Sequence, residues 1–169
     1  CDIKSLMPAP DFSTGADLIL HPQEIEQIYQ TGRGSFKLRA KYQVDKKNGF
    51  LEILEIPYST TVEAIIDDIS ELVKSGKIKE INDVRDETDL DGLKLTIDYK
   101  RSADPEALMQ KLYRLTSLES SFPCNFNILI NGTPRVLGVR SILGEWHAWR
   151  RACLRREIAF DLGKKQDRL

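Results

Sequence analysis

The stretch from Glu55 to Ala103 constrains the fold most, because strand and helix signals follow one another there without a break. Pro57 closes an apolar strand, and Thr60 or Thr61 then supplies an N-cap. The apolar residues after this cap recur with a period of about 3.6 residues, which predicts an amphipathic helix. Gly76 ends the helix.

Two further strands and a second helix start complete this stretch. The segments Ile78–Arg85 and Leu93–Tyr99 predict strands, and the acidic turn Asp86–Gly92 separates them. Asp104-Pro105 then places an N-cap before a first-turn proline and predicts a helix that runs to about Leu115.

An alternating strand precedes this stretch and carries a basic face. Its two faces follow a period of two, as in a half-buried strand. The apolar face consists of Phe36, Leu38, Ala40 and Tyr42, and the basic face of Lys37, Arg39 and Lys41. The turn Asp45–Gly49 contains Asn-Gly, which favours a hairpin whose second strand is Phe50–Ile56.

The order of elements from Phe50 to Ile130 is β-α-β-β-α-β. Asn125–Ile130 supplies the last strand and turns at Asn131-Gly132 into another hairpin that ends at Leu137. This order is typical of the split β-α-β arrangement, in which two helices cover one face of an antiparallel sheet. The sequence therefore predicts an α+β fold, a two-layer core with an N-terminal arm and hairpin and a long C-terminal helix.

The two ends of the chain have patterns of their own. Residues 7–18 are rich in Pro and Gly and predict a looping arm, and His21-Pro22 opens a short helix that Gly32 or Gly34 ends. From Val139 onward an apolar stripe with three-four spacing predicts a helix of about 25 residues. The stripe consists of Ile142, Leu143, Trp146, Trp149 and Cys153. Because the chain supplies no partner for it, the stripe predicts packing against a further helix.

These patterns divide the chain into three parts. We predict an arm with a short helix over residues 1–34, an α+β domain over residues 35–138, and the start of a long helix over residues 139–169. The chain begins on Cys1 without a methionine, which suggests a piece of a larger protein.

Composition excludes several classes of protein. Lys and Arg total 25 against 26 Asp and Glu, so the net charge of -1 gives no overall attraction to nucleic acid or membrane, and such binding requires a local patch. The cysteines Cys1, Cys124 and Cys153 are odd in number and lack metal-ligand spacing, which predicts a cytoplasmic protein without structural disulfides or zinc. No run approaches the roughly 18 apolar residues of a membrane span, and no signal peptide is evident.

A family resemblance rests on motifs that occur in order along nearly the whole chain. They are Pro10-Asp11-Phe12 with Thr14-Gly15, Thr31-Gly32-Arg33-Gly34, Glu55-Ile56-Pro57-Tyr58, Asp83 to Glu87 with Asp91-Gly92, Lys100 to Ala103, Leu112-Tyr113, Ser121-Phe122, Arg150-Arg151 and Arg155-Arg156. In these motifs and their spacing the chain resembles the A subunits of bacterial type IIA DNA topoisomerases, DNA gyrase and topoisomerase IV. It resembles the tower domain of these subunits together with the start of their coiled coil.

This resemblance implies a function for the parent protein. It implies an ATP-dependent enzyme that changes DNA topology by breaking, passing and rejoining double-stranded DNA. The implied partners are double-stranded DNA, an ATPase B subunit, and a second copy of the protein's own A-type chain. The resemblance places no cofactor or metal on this segment, since magnesium and ATP are expected in the partner B subunit. It does not separate gyrase from topoisomerase IV, since the C-terminal region that distinguishes them is absent.

The resemblance assigns no catalytic residue to this chain. The family's active-site Arg-Tyr pair lies upstream of the matching region, and none of the five tyrosines here stands in such a context: Tyr29, Tyr42, Tyr58, Tyr99 and Tyr113. The chain departs from the family at Thr61-Val62, where an Asn-Lys pair is common, so one basic contact of the family is lost.

The resemblance implies that the tower supports the arms of the cleaved duplex, which requires cations on a rigid surface. Alternate strand residues lie about 7 Å apart on one face, so Lys37, Arg39 and Lys41 are candidate phosphate ligands. Arg33 lies in a glycine-flanked turn, from which it can approach a backbone closely. An ordinary solvated strand face is the alternative, because runs of charge commonly have no other role.

The acidic turn partly matches a calcium-binding loop through Glu87, Asp89, Asp91, Gly92 and Asp98. Its first and last ligands have the wrong side chains, and a strand follows it where a calcium loop has a helix. We therefore predict a structural hairpin in which Arg85 pairs with nearby carboxylates.

Other functional classes have weaker support. His21 and His147 lack the partners of a hydrolytic triad, and Trp146 and Trp149 have the helical spacing of packing residues. An RNA-binding module is disfavoured because Leu93–Tyr99 lacks the pattern of aromatic and glycine residues that stacks bases. A ligand-binding regulatory domain of ferredoxin-like fold remains as an alternative, since fold alone does not define function.

Overall fold

A computed structural model describes residues 3–90 and 92–168. Their elements, in chain order, are α1 (Ile3–Leu6), β1 (Asp17–Ile19), α2 (Pro22–Thr31), β2 (Arg33–Arg39), β3 (Lys41–Asp45), β4 (Phe50–Glu55), α3 (Val62–Lys74), β5 (Ile81–Asp86), β6 (Leu95–Tyr99), α4 (Pro105–Leu115), β7 (Glu119–Asn125), β8 (Asn127–Ile130), β9 (Thr133–Val136) and α5 (Val139–Gln166). Cys1 and Asp91, on which two sequence arguments depend, lie outside the described residues.

The chain divides into two compact units. The first contains residues 3–6, 22–34 and 123–168, and the second contains the described parts of 7–21 and 35–122. Antiparallel sheets, helices and a long C-terminal helix make the fold α+β, as the sequence predicts.

The second unit is built on a four-stranded antiparallel sheet in the order β3-β4-β6-β5. Strand β6 lies between β4 and β5, so β4, α3 and β5 form a split β-α-β unit. Within this sheet Ile97 of β6 faces Leu51 on one side and Val84 on the other.

One strand of the predicted core takes a different place. The predicted last strand is observed as β8, which pairs with β9 in a separate two-stranded sheet, and β3 occupies the position beside β4 instead. A short turn joins β3 to β4, and closing a short loop costs little entropy. The local hairpin partner therefore takes the edge position in the sheet.

Helix α3 begins and ends where its sequence predicts. The hydroxyl oxygen of Thr61 accepts a hydrogen bond from the Ala64 amide at 3.3 Å, so threonine caps the helix at the position where the chain departs from the family motif. The helix ends at Lys74, and Gly76 follows in the left-handed region. Its buried side chains are Ile65, Ile69 and Leu72.

Helix α4 also confirms its predicted start. The Asp104 carboxylate accepts from the Glu106 amide at 3.2 Å, and Pro105 occupies the first turn. Leu108, Met109, Leu112 and Tyr113 of α4 join the residues of α3 and the sheet in one buried cluster. The opposite face of the sheet is polar, since Glu52 of β4 pairs there with Lys94 at 2.8 Å.

A second sheet has the order β1-β2-β7. Strand β1 lies in the predicted arm, and Asp17 faces Arg39 across the pair. Strand β7 was not predicted, because Pro123 interrupts a segment without clear alternation.

The predicted basic strand is not continuous. It ends at Arg39 and resumes at Lys41, where the chain enters the four-stranded sheet. Between the two strands the Ala40 amide donates a hydrogen bond to the Leu118 carbonyl at 2.8 Å. This tertiary hydrogen bond, to a residue far along the chain, redirects the strand, and no local pattern encodes it.

The first unit contains α2, which has the predicted limits, and the long helix α5. A Cβ at Gly138 would overlap the carbonyl oxygens of Tyr29 and Gln30, so glycine permits the close approach of α5 to the end of α2. Gly32 ends α2 with φ +75°.

Helix α5 has 28 residues and a length of about 42 Å. None of its residues is buried in the described part of the chain. Its exposed apolar side chains are Leu143, Trp146, Trp149, Leu154, Ile158, Phe160 and Leu162. Among the described residues, no helix has the length and apolar character needed to cross a membrane.

Truncation of Ile69 tests the core of the second unit. Ile69 is fully buried, so Ile69→Ala should lower the free energy of unfolding by about 2–5 kcal/mol in chemical denaturation. The control is Val73→Ala on the same helix, where the side chain is 38% exposed and the expected loss is below about 1 kcal/mol. Equal losses for the two variants would contradict the described packing of α3.

Candidate nucleic-acid interface

Lys37 and Arg39 lie on the solvent side of β2. Phe36 and Leu38 of the same strand are buried, which confirms the predicted alternation over these residues. Both cationic side chains point towards β7, the neighbouring strand, where Glu119 lies between them.

Glu119 partly neutralises this basic face. Nε and Nη2 of Arg39 donate to its Oε2 at 2.7 and 2.5 Å, while Nζ of Lys37 lies 3.3 Å from its Oε1. Burial raises the pKa of Glu119, but hydrogen bonds and charges from Arg39 and Lys37 outweigh it and hold the pKa below its ordinary value. Two cations thus share the Glu119 carboxylate, and Asp17 of β1 faces Arg39 across the strand pair, so two carboxylates stand against the two cations.

Arg39 is held more tightly than Lys37. Its guanidinium also lies over the ring of Tyr113, with Cζ 4.7 Å from the ring centroid, and its side chain is 34% exposed. The Lys37 side chain is 49% exposed and is held by a single ion pair. Lys37 is therefore the more available of the two for an external anion.

Lys41 belongs to the other sheet of the same unit. Its Nζ lies 3.4 Å from Oε1 of Glu55 on β4. Oε2 of Glu55 accepts a hydrogen bond from the Ala16 amide at 2.7 Å, so this carboxylate also fixes the N-terminal arm. The pair carries no net charge.

Arg33 lies in the first unit, whereas Lys37, Arg39 and Lys41 lie in the second. Its side chain is exposed, and its amide donates to the Thr31 hydroxyl oxygen at 3.2 Å. The predicted turn at Arg33 is wrong, because Arg33 is the first residue of β2; the chain bends one residue earlier, at Gly32, with φ +75°.

The sequence patterns did not single out another set of cations in the second unit. Lys46 and Lys47 lie in the β3–β4 turn, and Arg101 follows β6. The three side chains line one open cavity of about 450 Å³. The signal in the sequence was the pair of basic dipeptides, Lys46-Lys47 and Lys100-Arg101, but only the sheet order brings them together.

Two tyrosines serve the packing of the second unit. The Tyr42 hydroxyl donates to Oε2 of Glu106 at 2.6 Å, and the Tyr113 hydroxyl donates to the Ala40 carbonyl at 2.8 Å. Burial raises the pKa of both phenols, that of Tyr42 to about 12 with a further contribution from its hydrogen bond to Glu106. Both hydroxyls are thus protonated at neutral pH and act as hydrogen-bond donors.

The acidic turn contains the predicted local ion pair. Nε of Arg85 lies 3.5 Å from Oε1 of Glu87, and Nζ of Lys94 lies 3.5 Å from Oε2. The Thr96 hydroxyl also donates to Glu87 at 2.9 Å. Within residues 3–90 and 92–168, no three His, Cys, Asp or Glu side chains form a group that would hold a metal ion.

The ion pairs of Glu119 with Arg39 and Lys37 should be visible in a pH titration of its carboxyl group. Carboxyl ¹³C chemical shifts of Glu119 should report a midpoint below the ordinary glutamate value of 4.5, because Arg39 and Lys37 favour the ionised form. In Arg39→Gln the midpoint should rise, whereas Lys77→Gln, which removes a distant exposed lysine, should leave it in place. An unchanged midpoint in Arg39→Gln would contradict the described geometry.

Comparison with known proteins agrees with the motifs. The sequence model of the family of DNA gyrase/topoisomerase IV A subunits matches residues 1–169. The chain is 40% identical over 164 residues to the DNA gyrase A subunit of Halalkalibacterium halodurans, which covers 96% of this chain and 20% of that protein. It is 37% identical over 177 residues to the DNA topoisomerase 4 A subunit of Synechocystis, covering 99% and 19% respectively.

A plant relative extends the comparison. The probable chloroplastic/mitochondrial DNA gyrase A subunit of Oryza sativa is 34% identical over 172 residues, which covers 99% of this chain and 18% of that protein. The chain thus spans about a fifth of the length of the curated relatives it matches. Because the family match extends over the whole chain and follows the motifs in order, the chain belongs to the family of DNA gyrase and topoisomerase IV A subunits.

Proposed function

We propose that this chain is the DNA-supporting tower segment of a type IIA DNA topoisomerase, followed by the start of the coiled coil. The observation that carries the proposal is the family match over residues 1–169. Relatives named as gyrase and as topoisomerase IV match at similar identity, so the proposal concerns the A subunit common to both.

The basic face of β2 suits a supporting role. Phosphate contacts fix the position of a duplex without selecting a sequence, and they require cations on a rigid surface. Lys37 and Arg39 stand on a strand that is hydrogen-bonded on both sides, and Lys37, the more exposed of the two, is held by a single ion pair. Surface ion pairs contribute only about 0–1 kcal/mol, so a phosphate can compete with Glu119 for Lys37.

Lys41 and Arg33 have different prospects as phosphate ligands. Lys41 must leave Glu55 before it can bind an anion, and Glu55 keeps its second partner, the Ala16 amide, when that happens. Arg33 is exposed at the start of β2, in the first unit. We propose all four cations as DNA ligands and rank Lys37 and Arg33 above Arg39 and Lys41.

The activity of the parent enzyme is part of the same proposal. We propose an isomerase that breaks, passes and rejoins double-stranded DNA at the expense of ATP, and its protein partners are an ATPase B subunit and a second copy of the A-type chain. Magnesium and ATP belong to the B subunit in this proposal, and the segment itself contributes no catalytic residue. A cytoplasmic location remains a prediction from the cysteine content.

The ligand-binding alternative receives no support from the comparisons. The matching family and the relatives described above are DNA gyrase and topoisomerase IV A subunits. Among the described residues, the last strand of a ferredoxin-like sheet is also missing from the second unit, because β8 pairs with β9.

Opposite charge changes at β2 test the proposed contact. Lys37→Gln should weaken duplex binding, and Glu119→Gln should strengthen it, because the first removes one positive charge and the second removes one negative charge beside the cations. Each change should move the slope of log K against log salt by about 0.9, towards zero for Lys37→Gln and away from zero for Glu119→Gln. Fluorescence anisotropy of a labelled duplex measures both quantities.

The triple variant Lys37→Ala, Arg39→Ala, Lys41→Ala extends this test. It should lower the affinity further, while Lys74→Ala, Lys77→Ala, Lys79→Ala removes equal charge from exposed positions elsewhere in the same unit and should have the smaller effect. Circular dichroism verifies that each variant is folded. Equal affinity and slope in wild type and in the first triple variant would remove these residues from the interface.

A further inference from the structure

Three cationic side chains converge at one end of the four-stranded sheet. Lys46, Lys47 and Arg101 line an open cavity of about 450 Å³, whose remaining wall includes Gly49, Tyr99 and Pro105. All three cationic residues are exposed, whereas Gly49 and Tyr99 are buried and form the base of the cavity. We call these six residues the basic pocket.

Backbone hydrogen bonds hold the two sides of the basic pocket together. Oδ1 of Asp45 accepts from the amides of Lys47 and Asn48 at 3.0 and 3.1 Å, which orders the turn. The Gly49 amide donates to the Asp45 carbonyl at 2.9 Å, and the Tyr99 amide donates to the Gly49 carbonyl at 3.1 Å. The turn that carries the lysines is therefore fixed against the end of β6, from which Arg101 projects two residues later.

The cations of the basic pocket form no salt bridge among the described residues, although the Lys47 charge helps to lower the pKa of Asp45. In the described part of the chain, no carboxylate forms a salt bridge with Lys46, Lys47 or Arg101. Lys37 and Arg39 on β2 and Lys41 at the start of β3 differ in this respect, since each of these three has a carboxylate partner. An anion at the pocket therefore has no salt bridge to displace.

Nearby carboxylates have other roles. The Asp45 carboxylate accepts from the turn, and the hydrogen bonds from Asn48 hold its pKa below the ordinary value. Asp104 caps α4 by accepting from the Glu106 amide, and Glu106 in turn accepts from the Tyr42 hydroxyl. These acids make the local electrostatic potential less positive. The three cations of the pocket still outnumber the two carboxylates of Asp45 and Asp104.

The side chains that line the basic pocket indicate which class of ligand it binds. Those that face solvent are cationic, which does not suit an apolar small molecule. Lysine and arginine side chains around a shallow, open cavity suit phosphate oxygens, which accept hydrogen bonds from both. An open cavity also admits a phosphate that belongs to a long chain.

We propose that the basic pocket binds backbone phosphates of duplex DNA, as a second contact beside the basic face of β2. This inference rests on the proposed function of the segment as a DNA support. It adds three residues, Lys46, Lys47 and Arg101, to the phosphate-binding surface. It also assigns them the larger share of the electrostatic attraction, because none of the three forms a salt bridge among the described residues.

The test compares two triple variants of the full 169-residue chain. Lys46→Gln, Lys47→Gln, Arg101→Gln removes the charges of the pocket, and Lys74→Gln, Lys77→Gln, Lys79→Gln removes three exposed lysines of the same unit that lie outside it. In anisotropy titrations with a labelled duplex, the pocket variant should bind with an affinity lower by about ten-fold or more. Its slope of log K against log salt should be shallower by about 2–3. The affinity of the control variant should fall by less than about three-fold, since the control changes only the long-range electrostatic field of the protein.

The outcomes separate this inference from the proposed function. If Lys37→Gln weakens binding while the pocket variant behaves like the control, the inference is overturned and the DNA-supporting role stands. If the wild-type chain binds no duplex at any salt concentration, the proposed function fails and the inference fails with it. Backbone amide shifts of the variants confirm that they remain folded.

A free anion is the second source of the same ligand chemistry, and inorganic pyrophosphate is its probe. Pyrophosphate is added while the amide chemical shifts of Gly49 and Arg101 are followed. If these shifts saturate well below about 1 mM, a binding free energy beyond about -4 kcal/mol, the pocket is a small-anion site and the duplex assignment is overturned. Weaker binding, displaced by duplex DNA, supports the assignment to backbone phosphates.

Discussion

The packing of strand β6 determines most of the second unit. It is hydrogen-bonded on both sides, and four of its five residues are buried. Ile97 contributes to the apolar cluster that α3 and α4 complete, so the helices have one defined face to cover. The same strand ends beside the β3–β4 turn, and the hydrogen bond from the Tyr99 amide to Gly49 fixes that turn. The position of the basic pocket is therefore a consequence of the core.

Internal carboxylates decide how much of the surface charge is available. The chain has nearly equal numbers of basic and acidic residues, so attraction to a polyanion depends on where pairs form. Glu119 forms ion pairs with the cations of β2, and Glu55 forms one with Lys41 of β3. The same carboxylates connect β7 and the N-terminal arm to the sheets. Ion pairs thus reduce the positive charge of the β2 face, whereas the cations of the basic pocket form no salt bridge among the described residues.

Local signals predicted the helices well. Asp104-Pro105 places a cap and a compatible first turn in adjacent positions, and α4 begins there. Thr61 and Gly76 likewise bracket α3, because capping depends on residues within one turn of each end. The hairpin at Asn131-Gly132 forms for the same reason, since both residues adopt positive φ.

Tertiary contacts account for what sequence reasoning missed. The break at Ala40 depends on a hydrogen bond to Leu118, and β1 and β7 become strands only because β2 lies between them. The alternation from Phe36 to Tyr42 predicted the faces correctly for β2, but it carried no information on which sheet each residue joins. Pairing of Lys37 and Arg39 with Glu119 joins residues about eighty positions apart, beyond the range of any local sequence pattern.

We propose that this segment holds duplex DNA through its backbone phosphates. The association constant of the full chain for two duplexes of unrelated sequence, measured from about 50 to 200 mM salt, tests this proposal. We expect equal constants for the two duplexes and the same linear fall of log K with log salt. A constant that does not change with salt, or a marked preference for one sequence, would contradict it.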